Sequence, residues 1–352
     1  MRKQGRLIRW LIAGAVLALA VAGLALHGLS DFDIAGRTQR ELTFDSGGAG
    51  LSGTLLLPGN TGERPQAVVL IVHGDGPQDR FSAGGYLPLV NALLDDGIAV
   101  FTWDKPGIGA STGDWLAQSM QDRADEARAA LSAVAGSLPQ ARGRIGFLGF
   151  SQAGWVLPRL ASTETDADFF VLVGGAVNWQ RQGDYYTARR LEAEGWTPER
   201  IAGHLIDADR RETELFSGLA TGTLAPGEAA RRIDVTPERL AFIARNRHED
   251  ASTDIARIGR PFMAVWGERD LNVNPRTNAA DYRRLHRPAP PSVVTTLPGA
   301  THGLLRASLF NYQLPDQMPW HAKAAFVALG RKAYAPGAIA SMSEWIRNVT
   351  GE

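Results

Sequence analysis

The sequence contains no cysteine and carries no net charge, and each absence excludes a class of protein. Without cysteine, the 352-residue chain has no disulfide, no thiolate metal site and no cysteine nucleophile. Its 37 Lys and Arg residues balance 37 Asp and Glu residues, so the overall charge does not indicate a nucleic-acid partner. The histidines form no His-Glu-x-x-His pair, and no glycine-rich segment has the spacing of a phosphate-binding or dinucleotide-binding loop. We therefore expect no nucleic-acid partner, no metal and no cofactor.

The first 30 residues differ from the rest of the chain. An uncharged apolar run of 17 residues, 10–26, follows a cluster of four basic residues, Arg2, Lys3, Arg6 and Arg9. The run is near the lower limit for a membrane-spanning helix, about 17 residues, and has no polar face that would suit a core helix. We expect an uncleaved membrane anchor with its amino terminus in the cytoplasm and the rest of the chain periplasmic or extracellular. A cleaved signal peptide, which would give a secreted protein, is the alternative.

Beyond the first 40 residues, short strand-like runs alternate with helical patterns. The run at residues 67–72 is continuously apolar, as is typical of a strand buried on both faces. Apolar residues at helical spacing follow it, for example between Met120 and Val134. This alternation predicts an α/β fold with a mostly parallel sheet, whose ligand site lies beyond the carboxyl ends of the strands. The predicted strands are residues 41–44, 51–57, 67–72, 98–103, 144–150, 169–173, 261–266 and 293–297.

Residues 177–258 interrupt this alternation, because they show helical patterns and no convincing strand. Two Thr-Pro-Glu-Arg segments, which begin at Thr197 and Thr236, each resemble a helix start with a capping threonine and a proline at the first helical position. The segment is too long for a loop in a compact domain. We therefore predict a core of residues 40–176 and 259–350, with a helical cap, residues 177–258, inserted into it.

Ser151 is the candidate nucleophile. It follows the predicted strand 144–150 within the sequence Gly-Phe-Ser-Gln-Ala, at a point where a helix is expected to begin. A serine on a sharp turn between strand and helix projects its hydroxyl above the sheet, and small residues must flank it. Ala153 stands where the usual pattern has a glycine, and alanine is still small. Alternatively, Ser151 only caps the helix that follows.

A serine hydroxyl needs a base that takes its proton and a third group that orients the base. His302 follows the last predicted strand on a loop that Gly303 flanks, and Asp270 follows the strand before it. The chain order Ser, Asp, His is the order of α/β-hydrolases. Each residue alone fits an ordinary turn, but three such residues at strand ends in this order indicate a catalytic triad.

The strand 67–72 ends in a loop with two glycines, Gly74 and Gly76, at which a ligand can approach the backbone closely. We predict an oxyanion hole formed by the backbone amides of Asp75 and Gln152, the second of which directly follows the candidate nucleophile. The carboxylate of Asp75 should point away from the hole, because its negative charge would oppose a developing oxyanion.

Five segments together resemble the α/β-hydrolase fold serine hydrolases, in particular bacterial esterases, S33-like serine aminopeptidases and dienelactone-hydrolase-like proteins. The segments are residues 73–80, 103–111, 149–154, 267–270 and 299–303. The resemblance covers about residues 40–350 and implies an eight-stranded, mostly parallel sheet flanked by helices, with a helical cap. It implies Ser151 as nucleophile, His302 as base and Asp270 as acid. A serine at this position argues against haloalkane dehalogenases and epoxide hydrolases, which use a carboxylate nucleophile.

These observations predict a serine hydrolase that cleaves a carboxylic ester through an acyl-enzyme, outside the cytoplasm. An aminopeptidase-type enzyme that uses the same triad is an alternative, so the substrate is a small-molecule ester or a peptide. A membrane-tethered binding protein without activity is the alternative outside the enzymes.

Overall fold

One eight-stranded sheet organises the chain. The computed structural model describes residues 28–59, 64–163, 166–286 and 291–351, together with Gly23 and Leu26. The strands are β1 Thr38–Ser46, β2 Ala49–Leu57, β3 Ala67–Val72, β4 Ile98–Trp103, β5 Ile145–Phe150, β6 Phe169–Val173, β7 Phe262–Gly267 and β8 Val293–Leu297. Each predicted strand is present, and four of them have the predicted bounds.

The order of the strands in the sheet is β1-β2-β4-β3-β5-β6-β7-β8. The β1–β2 and β2–β4 pairs are antiparallel, and the pairs from β4 through β3 to β8 are parallel. The sequence prediction of a mostly parallel α/β-hydrolase sheet is confirmed. The parallel arrangement directs the carboxyl ends of β3, β5, β6, β7 and β8 to one edge, where ligand sites of such sheets lie.

Helices cover both faces of the sheet. They are α1 Leu87–Asp95, α2 Met120–Ser137, α3 Leu157–Ala161, α4 Trp179–Ala193, α5 Pro198–Thr221, α6 Pro226–Arg232, α7 Pro237–Asn246, α8 Ser252–Ala256, α9 Pro275–Leu285, α10 Ala307–Phe310, α11 Trp320–Leu329 and α12 Ala338–Val349. Apolar residues of α2, α3 and α9 belong to one core cluster, and those of α1 and α12 to a second. Because successive side chains of a strand point to opposite faces, the central strands contribute to both clusters.

Helices α4–α8 lie between β6 and β7, in the segment predicted as a cap. Both Thr-Pro-Glu-Arg segments begin helices, as predicted: Thr197 caps α5 and Thr236 caps α7 through their side-chain oxygens. An aromatic contact joins this segment to the core: the Trp179 ring lies 4.9 Å, centroid to centroid, from that of Trp155, which precedes α3. That residues 177–258 form a separate cap domain stays a prediction.

The predicted membrane anchor, residues 10–26, lies outside the described residues except for Gly23 and Leu26. Within the part of the chain that the structure describes, no helix combines the length and the apolar character needed to cross a bilayer.

Candidate active site

Ser151 is the first residue after β5 and the first of a 3₁₀ turn, Ser151–Trp155, that leads into α3. Its φ of 52° lies in the left-handed region, which costs a residue with a side chain about 1–3 kcal/mol. The turn is tight, because a Cβ at Gly149 would lie 2.6 Å from that of Ala153. The surrounding packing therefore holds Ser151 in a strained turn at the carboxyl edge of the sheet, where strain often accompanies function.

Asp270 and His302 form a pair at the same edge. The loop after β7 carries Asp270 and the loop after β8 carries His302, and the distance between His302 Nδ1 and Asp270 Oδ2 is 2.7 Å. The other carboxylate oxygen of Asp270 accepts hydrogen bonds from the backbone N–H groups of Asn272 (2.7 Å) and Val273 (2.9 Å). The Asp270 side chain is 0% exposed, so the carboxylate is shielded from water, whereas the His302 side chain is 19% exposed.

The pair alters the acid–base properties of the imidazole. Burial lowers the pKa of His302, but the charge of Asp270 and the hydrogen bond to it raise this pKa more, so the result is a pKa above 6.5. A proton on Nδ1 that is donated to Asp270 leaves Nε2 as the acceptor on the opposite side of the ring. This is the tautomer that a general base for a serine hydroxyl requires.

The imidazole of His302 packs on Gly174, which the register of β5 and β6 places beside Ser151. Phe150 pairs with Val173, so Ser151 and Gly174 are the next residues on strands about 4.8 Å apart. A Cβ at Gly174 would lie 2.9 Å from Nδ1 and Cε1 of His302, which shows that the imidazole packs directly against this backbone. Within the described residues, the Ser151 hydroxyl makes no hydrogen bond. Such bonds are often long before substrate binds.

The two predicted oxyanion donors lie beyond the carboxyl ends of two strands, β3 and β5. Asp75 is in the loop after β3, and Gln152 follows Ser151. Among the described residues, neither backbone N–H donates to another protein group. A Cβ at Gly74 would lie 3.3 Å from the Cβ of Ser151, so the loop passes directly beside the candidate nucleophile. Both amides are therefore available to a ligand next to Ser151.

The Asp75 carboxylate accepts hydrogen bonds from the side chains of Arg239 and Gln152. Both carboxylate oxygens accept hydrogen bonds from the Arg239 guanidinium of α7, at 2.9 and 2.5 Å. The Gln152 side chain donates to Asp75 Oδ1 at 3.0 Å. Burial raises the pKa of Asp75, but Arg239 lowers it more, so the carboxylate stays ionised and is neutralised by a cation. This arrangement compensates the charge that would oppose an oxyanion.

Two buried basic side chains, Lys105 and Arg123, donate hydrogen bonds to carbonyls of the same loop. Lys105 Nζ donates to the carbonyls of Gly74 (2.6 Å) and Gly76 (2.9 Å). Arg123 donates to the carbonyl of His73 (2.6 Å) and to the side-chain oxygen of Gln152 (2.5 Å). Burial, and then the positive charge of Arg123, lower the pKa of Lys105 well below its usual range. These hydrogen bonds hold three carbonyls of the loop, those of His73, Gly74 and Gly76.

His73 does not serve as a second base. It is 1% exposed, and one ring nitrogen lies 2.6 Å from the carbonyl of Trp103. Burial lowers its pKa to about 3, with help from Lys105 and Arg123. The imidazole is therefore neutral at ordinary pH and braces the loop structurally.

The structure adds residues that the sequence did not single out. Gly174, Lys105, Arg123 and Arg239 all contact the candidate triad or the oxyanion loop. A glycine pair directly after the buried strand β6 was visible as a signal of close backbone approach. The three cations gave no such signal, because their partners are distant in sequence.

Comparison with known proteins decides the family. The family model described as serine aminopeptidase, S33, matches residues 63–307, more than half of the chain. The chain belongs to the serine aminopeptidase S33 family. This S33 family protein is therefore a hydrolase of the α/β-hydrolase fold, and the non-enzymatic alternative is set aside. No curated protein matches its sequence significantly.

Solved structures that resemble this S33 family protein share its fold at low sequence identity. An esterase of Pyrococcus furiosus, Pf2001, has a TM-score of 0.55 at 14% identity, over 90% of this chain and 93% of that chain. DcsB, in complex with a substrate analogue, has a TM-score of 0.58 at 12% identity, over 90% and 100%. Est1E of Butyrivibrio proteoclasticus, with bound ferulic acid, has a TM-score of 0.52 at 15% identity, over 87% and 96%.

Proposed function

We propose that this protein hydrolyses carboxylic esters through an acyl-enzyme formed on Ser151. The observation that carries the proposal is the buried Asp270–His302 pair, which lies at the same sheet edge as the strained turn at Ser151. The likeness to Pf2001, which is named as an esterase, makes an ester the first substrate to test.

In the proposed mechanism, Ser151 Oγ attacks the ester carbonyl while Nε2 of His302 takes the hydroxyl proton. The Asp270 carboxylate accepts the hydrogen bond from Nδ1 and stabilises the imidazolium that forms. The carbonyl oxygen becomes negative and accepts hydrogen bonds from the Asp75 and Gln152 amides. One such donor contributes about 2.7–4 kcal/mol to transition-state stabilisation.

His302 then gives its proton to the leaving alcohol, so the carbon–oxygen bond of the ester breaks and the acyl group stays on Ser151. In the second half, His302 takes a proton from water, and the resulting hydroxide attacks the acyl-enzyme. The acid is released, the proton returns to Ser151 Oγ, and the free enzyme is restored.

A fluorophosphonate probe tests the nucleophile directly, since it labels an activated serine without a need for the true substrate. We expect labelling of the wild-type protein and none of Ser151→Ala. Ser132→Ala, which changes an exposed serine of α2, is the matched control and should be labelled normally. A folded wild-type protein that is not labelled, or a Ser151→Ala variant labelled equally, contradicts the proposal.

The family name makes amide cleavage the alternative chemistry for the same triad. A panel of p-nitrophenyl esters and aminoacyl anilides separates the two at equal enzyme concentration. We expect higher kcat/KM for the esters. A higher kcat/KM for an aminoacyl anilide with a free amine would instead favour the aminopeptidase.

We propose further that residues 10–26 anchor the protein and place its catalytic domain outside the cytoplasm. The support is the basic cluster before an uncharged run of 17 residues. Membrane fractionation with amino-terminal sequencing tests this. An intact amino terminus in the membrane fraction supports the anchor, and a soluble form that starts near residues 23–30 contradicts it.

A further inference from the structure

Helix α11 is apolar in sequence but largely exposed. Of its ten residues, Ala322 is buried, while Trp320 is 80% exposed. Three further large apolar side chains are exposed on or before this helix: Leu309, Leu314 and Val327. We call these three residues and Trp320 the α11 surface. An exposed tryptophan within a group of exposed aliphatic residues is typical of a surface that contacts a partner or a membrane.

The chain that follows the predicted anchor lies against the carboxyl end of α11. A Cβ at Gly28 would lie 1.9 Å from the carbonyl oxygen of Ala328, so the two backbones touch. The Phe32 and Phe326 rings meet edge to face with centroids 5.6 Å apart. Leu26 and Leu29, which flank Gly28 closely in the chain, are 68% and 49% exposed. The apolar run of the predicted anchor therefore reaches the described structure beside α11.

The opposite end of α11 leads to the candidate active site. Gln313, seven residues before the helix, donates to the carbonyls of Leu271 and Tyr186, each at 3.0 Å. The Asn272 side chain donates to the carbonyl of Gln313 at 2.9 Å. This segment therefore packs on the loop that carries Asp270. A ten-residue helix is about 15 Å long, so α11 connects the exit of the predicted anchor with the rim of the site.

The charges of this region suit an anionic surface. Between residues 301 and 333, the sequence has four Lys and Arg residues and one acidic residue, Asp316. Arg331 is paired with Asp31 and Asp95, which leaves Arg306, Lys323 and Lys332 without an ion pair among the described residues. Basic residues near an exposed apolar patch favour binding to anionic lipids. A tryptophan beside them suits the boundary between headgroups and acyl chains.

We propose that the α11 surface inserts into the interface of an anionic lipid bilayer and that the site thereby receives lipophilic esters from the membrane. The substrate part of this inference rests on the proposed ester hydrolysis, whereas the docking part does not. A tether alone would leave the catalytic domain free to turn. The α11 surface fixes its orientation, with the rim near Asp270 toward the lipid.

The docking part is tested by fluorescence of the full chain in nanodiscs of phosphatidylcholine and phosphatidylglycerol. Since the chain has no cysteine, Val327→Cys carries a single environment-sensitive dye, such as a nitrobenzoxadiazole. Ser132→Cys is the control, an exposed position on α2, whose apolar residues belong to the first core cluster. We expect a blue-shifted emission, quenched by nitroxide-labelled lipid, at residue 327 and not at residue 132.

Aqueous emission at both positions would overturn the proposal. The measurement is made in discs that hold one chain, where a second copy cannot cover the surface, and is repeated in discs that hold two. A blue shift that appears only in discs with two chains would also overturn it, in favour of self-association.

The substrate part is tested by rates on two presentations of an ester. We expect Trp320→Ala to hydrolyse a water-soluble short ester at the wild-type rate, and a long-chain ester in anionic vesicles at least about fivefold more slowly. Ile206→Ala is the control, because Ile206 is a 64% exposed aliphatic residue of α5 in the segment predicted as a cap.

Equal losses in both variants, or a loss by Trp320→Ala on the soluble ester, would overturn the substrate part. A wild-type enzyme that cleaves neither ester contradicts the proposed function instead. The dye measurement still decides the docking part in that case.

Discussion

Gly174 is the residue at which the structure makes its sharpest prediction about the triad. A Cβ at this position would lie 2.9 Å from His302 Nδ1 and Cε1, whereas ordinary contacts begin at 3.4 Å. Gly174→Ala must therefore displace the imidazole by about 0.5 Å. Because a misplacement of about 1 Å can cost 10²-fold in rate, we expect kcat to fall about tenfold.

The same substitution also affects stability. Gly174 has a φ of 64°, and this conformation costs a residue with a side chain about 1–2 kcal/mol. That cost is small beside the usual free energy of unfolding, about 5–15 kcal/mol, so the variant should stay folded. A loss of activity in a variant with a normal circular dichroism spectrum would then report the displaced histidine.

The assay compares kcat for a p-nitrophenyl ester, and the rate of fluorophosphonate labelling, with those of Gly303→Ala. Gly303 is next to His302, but a Cβ there would have no neighbour within 4 Å. We expect Gly303→Ala to retain wild-type kcat. If Gly174→Ala stayed within twofold of the wild type, or if both variants lost activity equally, the packing argument for His302 would be refuted.

Two further predictions concern charge at the site. Asp270 raises the pKa of His302, so the fluorophosphonate labelling rate should fall as the pH drops through a value above 6.5. Asp270→Asn should move this fall in rate to lower pH. If the fall in rate did not move, the Asp270–His302 pairing would be contradicted. Conversely, the stability that this pair contributes is present below about pH 6.5 and is lost as the pH rises through the raised pKa. Arg239→Ala should lower kcat about three- to fivefold with little change in KM, because the Asp75 carboxylate loses its cation next to the oxyanion. Asp75→Asn in that background should restore kcat, and a double variant as slow as Arg239→Ala would refute this explanation.

The central strands could be predicted from the sequence because each one is marked by a run of apolar residues that are neighbours in the chain. Residues 67–72 and 169–173 are continuously apolar, since both faces of these strands are covered. The candidate triad was predictable for a related reason. Parallel strands direct their carboxyl ends to one edge, so residues that follow different strands, such as Asp270 and His302, are expected to meet.

The sequence by itself determined the alternating elements, the family motifs and the candidate nucleophile, base and acid, because each depends on residues that are neighbours in the chain. Only the tertiary structure decided which distant groups hold them in place. The Arg239–Asp75 ion pair joins residues 164 positions apart, and the contact of Gly174 with His302 depends on the pairing of β6 with β7 and of β7 with β8. The first contact depends on how the segment between β6 and β7 packs on the core, and the second on the order of the strands in the sheet. No local pattern of polar and apolar residues encodes either.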